Sequence, residues 1–147
     1  MTYRPVFDRR RISLLMAVHQ NGSAAKTMLD VSFKGSSVAS FVEGLPFSPG
    51  SVLLLDNASI HKTLSVRQAA LRRGYQLLYL PTYSPEFNPI ELIFGIAKQH
   101  FYKARYDDFR RDWSLDSAVR ESIEFGATPS NIRNCFRHTH DVVVSAL

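Results

Sequence analysis

Four consecutive apolar residues, Val52-Leu53-Leu54-Leu55, are followed at once by a carboxylate, Asp56. A run this short and unalternating is the signature of a strand buried on both faces, as inside an α/β sheet. Further on, Gln76 to Leu80 makes a second short strand. The basic segment between them reads as a helix, opened by Thr63 or Ser65, running through Arg73 and closed by Gly74. Strand, helix and strand in that order commit the chain to a mixed α/β architecture with helical crossovers.

The flanking segments extend this unit. Ile12 to His19 reads as a strand, Ala24 to Phe33 as its return, and Asn21-Gly22 between them is a strong hairpin signal. Gly35-Ser36-Ser37 ends the second strand, and either serine can cap a helix over Val38 to Leu45. After the loop Pro81 to Phe87, Asn88 stands as an N-cap with Pro89 in the first helical position. Ile90, Ile93, Phe94, Ala97 and Phe101 then form one apolar stripe on a helix to about Tyr102. Further helices are expected over Leu115 to Phe125, with Ser114 or Asp116 at the cap, and from Thr128-Pro129 to His138. The strands at Val52 and Gln76 are expected to join the hairpin in one sheet. The residues before the hairpin, Tyr3 to Arg11, are polar and basic, so that sheet is expected to lack a strand on its N-terminal side.

A chain of 147 residues with 45% apolar composition suits one domain with a real core. The single cysteine, Cys135, cannot form an internal disulfide, which favours a reducing compartment. No apolar run approaches the ~20 residues of a membrane span, and Met1 to Arg11 lacks the features of a signal peptide. A cytoplasmic or nuclear location without membrane contact is the expectation. The net charge of +5 leans toward a polyanionic partner.

Chemistry concentrates in two segments. The first is Leu53 to Lys62, with Asp56 at the end of a buried strand, where α/β sheets open into ligand crevices. Asp56 can equally start the loop and cap the helix after it. The second is Leu80 to Leu92, where Asn88 and Glu91 have capping-box spacing and Glu91 needs no role beyond the cap. Alternatively, Glu91 leans over the sheet end and meets Asp56. Carboxylates brought together need a cation, and hard oxygen ligands suit Mg²⁺ or Mn²⁺. Two such ions ~3.5–4 Å apart can activate water and stabilise the leaving oxygen in phosphodiester cleavage.

Leu-Asp-Asn-Ala-Ser-Ile-His-Lys, a gap of 34 residues between Asp56 and Glu91, and Tyr-Ser-Pro-Glu-Phe-Asn-Pro-Ile-Glu together resemble the DDE transposases of the mariner superfamily and their bacterial insertion-sequence relatives. The resemblance spans most of the chain. Arg9 to Glu43 is similar to the family's hairpin and first helix, Leu92 to His100 to its glutamate-bearing helix, and Thr128 to His138 to its C-terminal helix. It implies a ribonuclease H-like fold, two Mg²⁺ or Mn²⁺ ions, and DNA as substrate. The implied activity is strand cleavage and transfer, carried out as a homodimer in the intact enzyme. Asp56 matches the second catalytic and metal-binding carboxylate and Glu91 the third. Asn57 and His61 match signature positions that hold the Asp56 loop or contact a phosphate or water, and loop structure alone accounts for them equally well. Glu86 has the wrong offset from Asp56 and is given a loop role.

The resemblance has gaps. The family's first aspartate lies on a strand upstream of Arg9; Asp8, beside Arg9-Arg10-Arg11, and Asp30, within the hairpin, are poor substitutes. The family's helix-turn-helix region has no counterpart. The expectation is therefore a partial DDE core over residues 1–106, lacking the first strand, with a helical extension of the same domain over 107–147. Such a fragment is expected to be catalytically inactive. The competing reading is a non-catalytic, transposase-derived module that binds nucleic acid or protein; a conventional ribonuclease H-like hydrolase is disfavoured by the Asn-Pro-Ile-Glu motif. Lys62, Arg67 and Lys98 are the candidate DNA contacts, with Arg72, Arg73, Lys103 and Arg105 nearby in sequence. Each of these is also an ordinary solvated charge. Tyr83 can stack on an exposed base or pack in its loop. His138 and His140 are read as tail residues.

Overall fold

The computed structural model describes residues 11–29, 31–107 and 114–147. Asp8, Arg9, Arg10 and Asp30 lie outside the described residues. A hairpin of β1 (Ser13–Val18) and β2 (Ala24–Leu29) comes first, followed by helix α1 (Gly35–Glu43). Strand β3 (Val52–Leu55), helix α2 (Leu64–Arg73) and strand β4 (Gln76–Tyr79) form the strand–helix–strand unit. Helices α3 (Pro89–Asp107), α4 (Leu115–Gly126) and α5 (Pro129–Ser145) complete the chain.

Local chemistry explains most boundaries. The hairpin closes through a short loop in which the Gly22 N–H bonds the His19 carbonyl at 2.8 Å. Gly22 has φ +96°, where glycine carries no steric penalty. Gly74 ends α2 in the left-handed conformation, its N–H directed at the Ala70 and Leu71 carbonyls. Ser114 and Thr128 cap α4 and α5, each side-chain oxygen accepting a backbone N–H at 3.2 Å.

Several boundaries differ from expectation, and the return strand β2 stops at Leu29, with residues 31–33 outside any strand rather than continuing it to Phe33. Helix α1 begins at Gly35 with Lys34 as an N-cap lacking a side-chain bond, so Ser36 and Ser37 sit inside the first turn. A Cβ at position 35 would stand 2.6 Å from the Thr63 side chain, so glycine lets α1 start against the cap of α2. Helix α3 runs on to Asp107 and α5 to Ser145. No helix-breaking residue interrupts either extension.

The strands do not form the single sheet expected. Among the described residues β1 pairs only with β2, antiparallel, and β3 only with β4, parallel. The two ribbons nevertheless share helical layers. Leu15 and Ala17 of β1 and Leu53 and Leu77 of the second ribbon pack on the cluster built by Val38 and Val42 of α1 and Val66 and Ala69 of α2. Met16 and Val18, on the opposite face of β1, pack with Ile93 of α3 and Ile132 of α5. Leu54 and Leu78 face the α5 side as well, but there they line a cavity of about 820 Å³ instead of a filled core.

The run at Val52 is consequently less buried than its composition suggests. Val52 is exposed and Leu53 to Leu55 are half-buried. Among the described residues each strand of this ribbon has one partner, and the ribbon has an open cavity on one face. Helices α3 and α4 cross closely at Gly126, which is buried. A Cβ there would lie 2.9 Å from the Ile93 carbonyl oxygen and 3.1 Å from both the Ala97 nitrogen and its Cβ.

Candidate functional site

Asp56 is the first residue beyond β3, so the strand delivers its carboxylate to the C-terminal edge of the parallel ribbon. Its Oδ1 accepts the Ala58 N–H at 3.1 Å, the Asx turn favoured by a short acidic side chain. The turn continues into a single 3-10 turn at Ser59–His61. The His61 Nδ1 returns to within 2.7 Å of the same Oδ1. That contact lacks hydrogen-bond geometry, and the buried Nδ1 has no other partner. Among the described residues the Asp56 Oδ2 has no bonded partner, and the side chain is 53% exposed. The aspartate is thus held through one oxygen and open at the other.

Further contacts fix the loop. The Asn57 Nδ2 donates to Thr82 Oγ1 at 2.8 Å, joining the turn after β3 to the loop after β4. The Tyr79 hydroxyl, at the end of β4, donates to the His61 carbonyl at 2.9 Å. The Lys62 ammonium lies 5.8 Å from the centroid of the same tyrosine ring. Asn57 and His61 are therefore structural supports of the Asp56 loop. Tyr79 and Thr82 join them, two residues that spacing did not single out. Only the position of Tyr79 at the strand end offered a signal.

Glu91 sits in the first turn of α3. The capping box expected from its spacing does not form: the Asn88 N–H bonds the Pro85 carbonyl at 3.0 Å, leaving nothing for Glu91 to reach back to. A second 3-10 turn, Pro85–Phe87, supplies that carbonyl, so the cap is satisfied from the loop. The buried Asn88 side chain instead accepts the Ile90 N–H at 3.3 Å. Glu91 is exposed, and among the described residues its carboxylate has no hydrogen-bond or ion-pair partner. Pro89, the first residue of α3, lines the same cavity as Leu54 and Leu80 from the strand ends. Neither Asp56 nor Glu91 is among the residues that line it.

No group of three metal-ligating side chains occurs among the described residues. Asp56 and Glu91 each offer the kind of oxygen that a hard cation takes. Mg²⁺ keeps several waters and commonly takes only one or two carboxylates from the protein. Asp56 Oδ2 and the Glu91 carboxylate are both oxygen donors without protein partners among the described residues.

The basic residues divide into two groups. Lys62, Arg67, Lys98 and Lys103 are exposed, and so are available to a polyanion. Arg72, also exposed, and Arg73, half-buried, are engaged within the chain. Arg72 is paired with Glu43, its Nε 2.9 Å from the carboxylate. Arg73 donates to the Leu45 carbonyl at 2.9 Å, beside the Tyr75 hydroxyl that bonds the Leu45 and Phe47 carbonyls at 3.0 Å. Both arginines tie the end of α2 to the chain leaving α1. The side chain of Arg105 lies outside the described residues. Glu86 is exposed in the 3-10 turn before α3, as its loop role requires. His138 is exposed, and the His140 Nδ1 lies 3.5 Å from Asp141.

Tyr83 stands apart. Its ring is 96% exposed. Its φ of +58° is the one positive value among the described non-glycine residues. The left-handed backbone costs an L-residue roughly 1–2 kcal/mol, and here no buried contact of the ring offsets that cost.

Residues 4–111 match the DDE superfamily endonucleases, and the chain belongs to that family. Its fold is similar to that of a chain in the simian T-cell lymphotropic virus intasome, solved in complex with the PP2A regulatory subunit B56 gamma. The TM-score is 0.58 at 18% identity, over 80% of this chain and 43% of that one. The chain thus spans under half the length of that relative, and the likeness is one of fold alone, of the ribonuclease H type. No curated protein matches significantly. Among the described residues no helix is long and apolar enough to cross a membrane.

Proposed function

We propose that the chain is a DDE transposase-type domain of the mariner and insertion-sequence kind, acting on DNA, with Asp56 and Glu91 as its metal-binding carboxylates. What supports this reading is an Asp56 tethered through Oδ1 at the strand end, with Oδ2 free of bonded partners among the described residues, and a Glu91 at the helix start that has no capping duty. Asp56 would hold the cation from the strand end and Glu91 from the helix start. A bound divalent ion would supply the activation of water and the stabilisation of the leaving oxygen in phosphodiester cleavage. His61, Asn57 and Tyr79 restrict the Asp56 loop, so the carboxylate loses little freedom when it binds. Lys62, Arg67 and Lys98 would contact phosphates. We assign residues 1–106 to the catalytic core and 107–147 to its helical extension.

Calorimetry with Mn²⁺ tests the site. Weak binding is expected, because two carboxylates supply little charge and hydrated cations dehydrate reluctantly. Asp56→Ala and Glu91→Gln should each abolish it. Binding that survives both substitutions would place the site elsewhere. With labelled duplex DNA and Mn²⁺, salt-sensitive binding without cleavage is the expected outcome for this chain alone. Cleavage that Glu91→Gln removes would identify a complete active site.

A further inference from the structure

Tyr83 combines a fully exposed ring with a strained backbone, and no contact among the described residues explains either. Strain of this kind persists where the surroundings impose it, and it concentrates at functional sites. Here the surroundings are specific. The preceding residue, Thr82, receives the Asn57 hydrogen bond at 2.8 Å, and Asn57 adjoins Asp56. The Ser84 hydroxyl, on the other side, lies 3.4 Å from the Thr82 carbonyl. The ring is therefore carried on a loop tied to Asn57, the neighbour of the candidate aspartate, between β4 and the helix that bears Glu91. Lys62 adds an exposed cation in the turn after Asp56.

We propose that Tyr83 is a stacking platform for an unpaired nucleobase of the DNA strand presented to Asp56 and Glu91, an inference that rests on the DNA reading above. A flat aromatic face beside phosphate-binding cations is the recurring arrangement for single-stranded nucleic acid, because every base has a π-face to offer. A fully paired duplex hides those faces inside its stack. Tyr83 consequently favours DNA with a frayed end, a gap or a flipped base over intact duplex, with little sequence preference. It is a binding residue that orients the strand and takes no part in proton or electron transfer.

The test uses the full chain without metal and two probes carrying 2-aminopurine. One is a single-stranded oligonucleotide and the other a fully paired duplex. Wild type should bind the single strand more tightly and quench its fluorescence on stacking. Tyr83→Ala should weaken single-strand binding about tenfold, remove the quench and leave duplex binding nearly unchanged. Tyr83→Trp should retain both affinity and quench. Tyr83→Gly separates structure from binding: relief of the backbone strain should raise the melting temperature, while affinity falls as in the alanine variant. Equal single-strand affinity and quenching in wild type, Tyr83→Ala and Tyr83→Gly would overturn the platform and leave the DNA reading standing. A wild-type chain that binds neither probe would overturn the DNA reading with it.

Discussion

Two glycines on helices should respond to alanine with opposite signs. At Gly126 the added Cβ would lie 2.9 Å from the Ile93 carbonyl oxygen and 3.1 Å from the Ala97 nitrogen and Cβ. These neighbours are backbone or rigid atoms of α3, so relief requires the two helices to move apart by several tenths of an ångström. Overpacking of this kind costs typically 1–3 kcal/mol. Alanine's better helix propensity returns at most ~1 kcal/mol, and less at a terminal position. The net loss is about 1–2 kcal/mol, which lowers the melting temperature by roughly 3–6 °C for a chain of this size. At Gly95, exposed on α3, a Cβ meets nothing within 4 Å. There Gly95→Ala should stabilise by about 0.5–1 kcal/mol. Urea unfolding followed by far-ultraviolet circular dichroism measures both. A Gly126→Ala variant as stable as Gly95→Ala, with an unchanged denaturant slope, would refute the close crossing of α3 and α4. The crossing matters to the site because Ile93 lies in the helix that carries Glu91 in its first turn.

The helix caps and the buried thiol give further tests. Ser114→Ala and Thr128→Ala each remove an oxygen that accepts a backbone N–H, and each should cost about 1 kcal/mol in urea unfolding; unchanged stability in both variants would refute the caps. Burial raises the pKa of Cys135, which disfavours its thiolate. An aromatic disulfide reagent at neutral pH should therefore react with it much more slowly in the native chain than in urea, and equal rates would show the thiol to be accessible.

The sequence made local features legible where one residue type enforces one geometry. Gly22 turns the hairpin, Gly74 stops α2, and Ser114 and Thr128 start the last two helices. What depended on distant pairing was less visible. The order of residues in Val52–Leu55 cannot say whether a strand has one neighbour or two, and the separation into two ribbons lies beyond periodicity. The same limit applies at the site. The capping-box spacing of Asn88 and Glu91 was correct as a pattern, but the Pro85 carbonyl occupies the Asn88 N–H first. Arg72 and Arg73 read as part of a basic surface until Glu43 and the Leu45 carbonyl, both nearly thirty residues earlier, proved to hold them.

The separation into ribbons has a consequence for how the chain behaves in solution. Strand β1 has the sequence Ser-Leu-Leu-Met-Ala-Val and β3 Val-Leu-Leu-Leu, and each has a single partner among the described residues. Neither contains a lysine, a proline or an acidic residue, the devices by which open strand edges are ordinarily protected. Among the described residues their outer backbone groups have no strand partner, and such groups are a template for any extended apolar polypeptide. Concentrating the chain brings such edges together. Self-association through backbone hydrogen bonds, insensitive to salt, would then compete with the salt-sensitive contacts that Lys62, Arg67 and Lys98 offer to DNA.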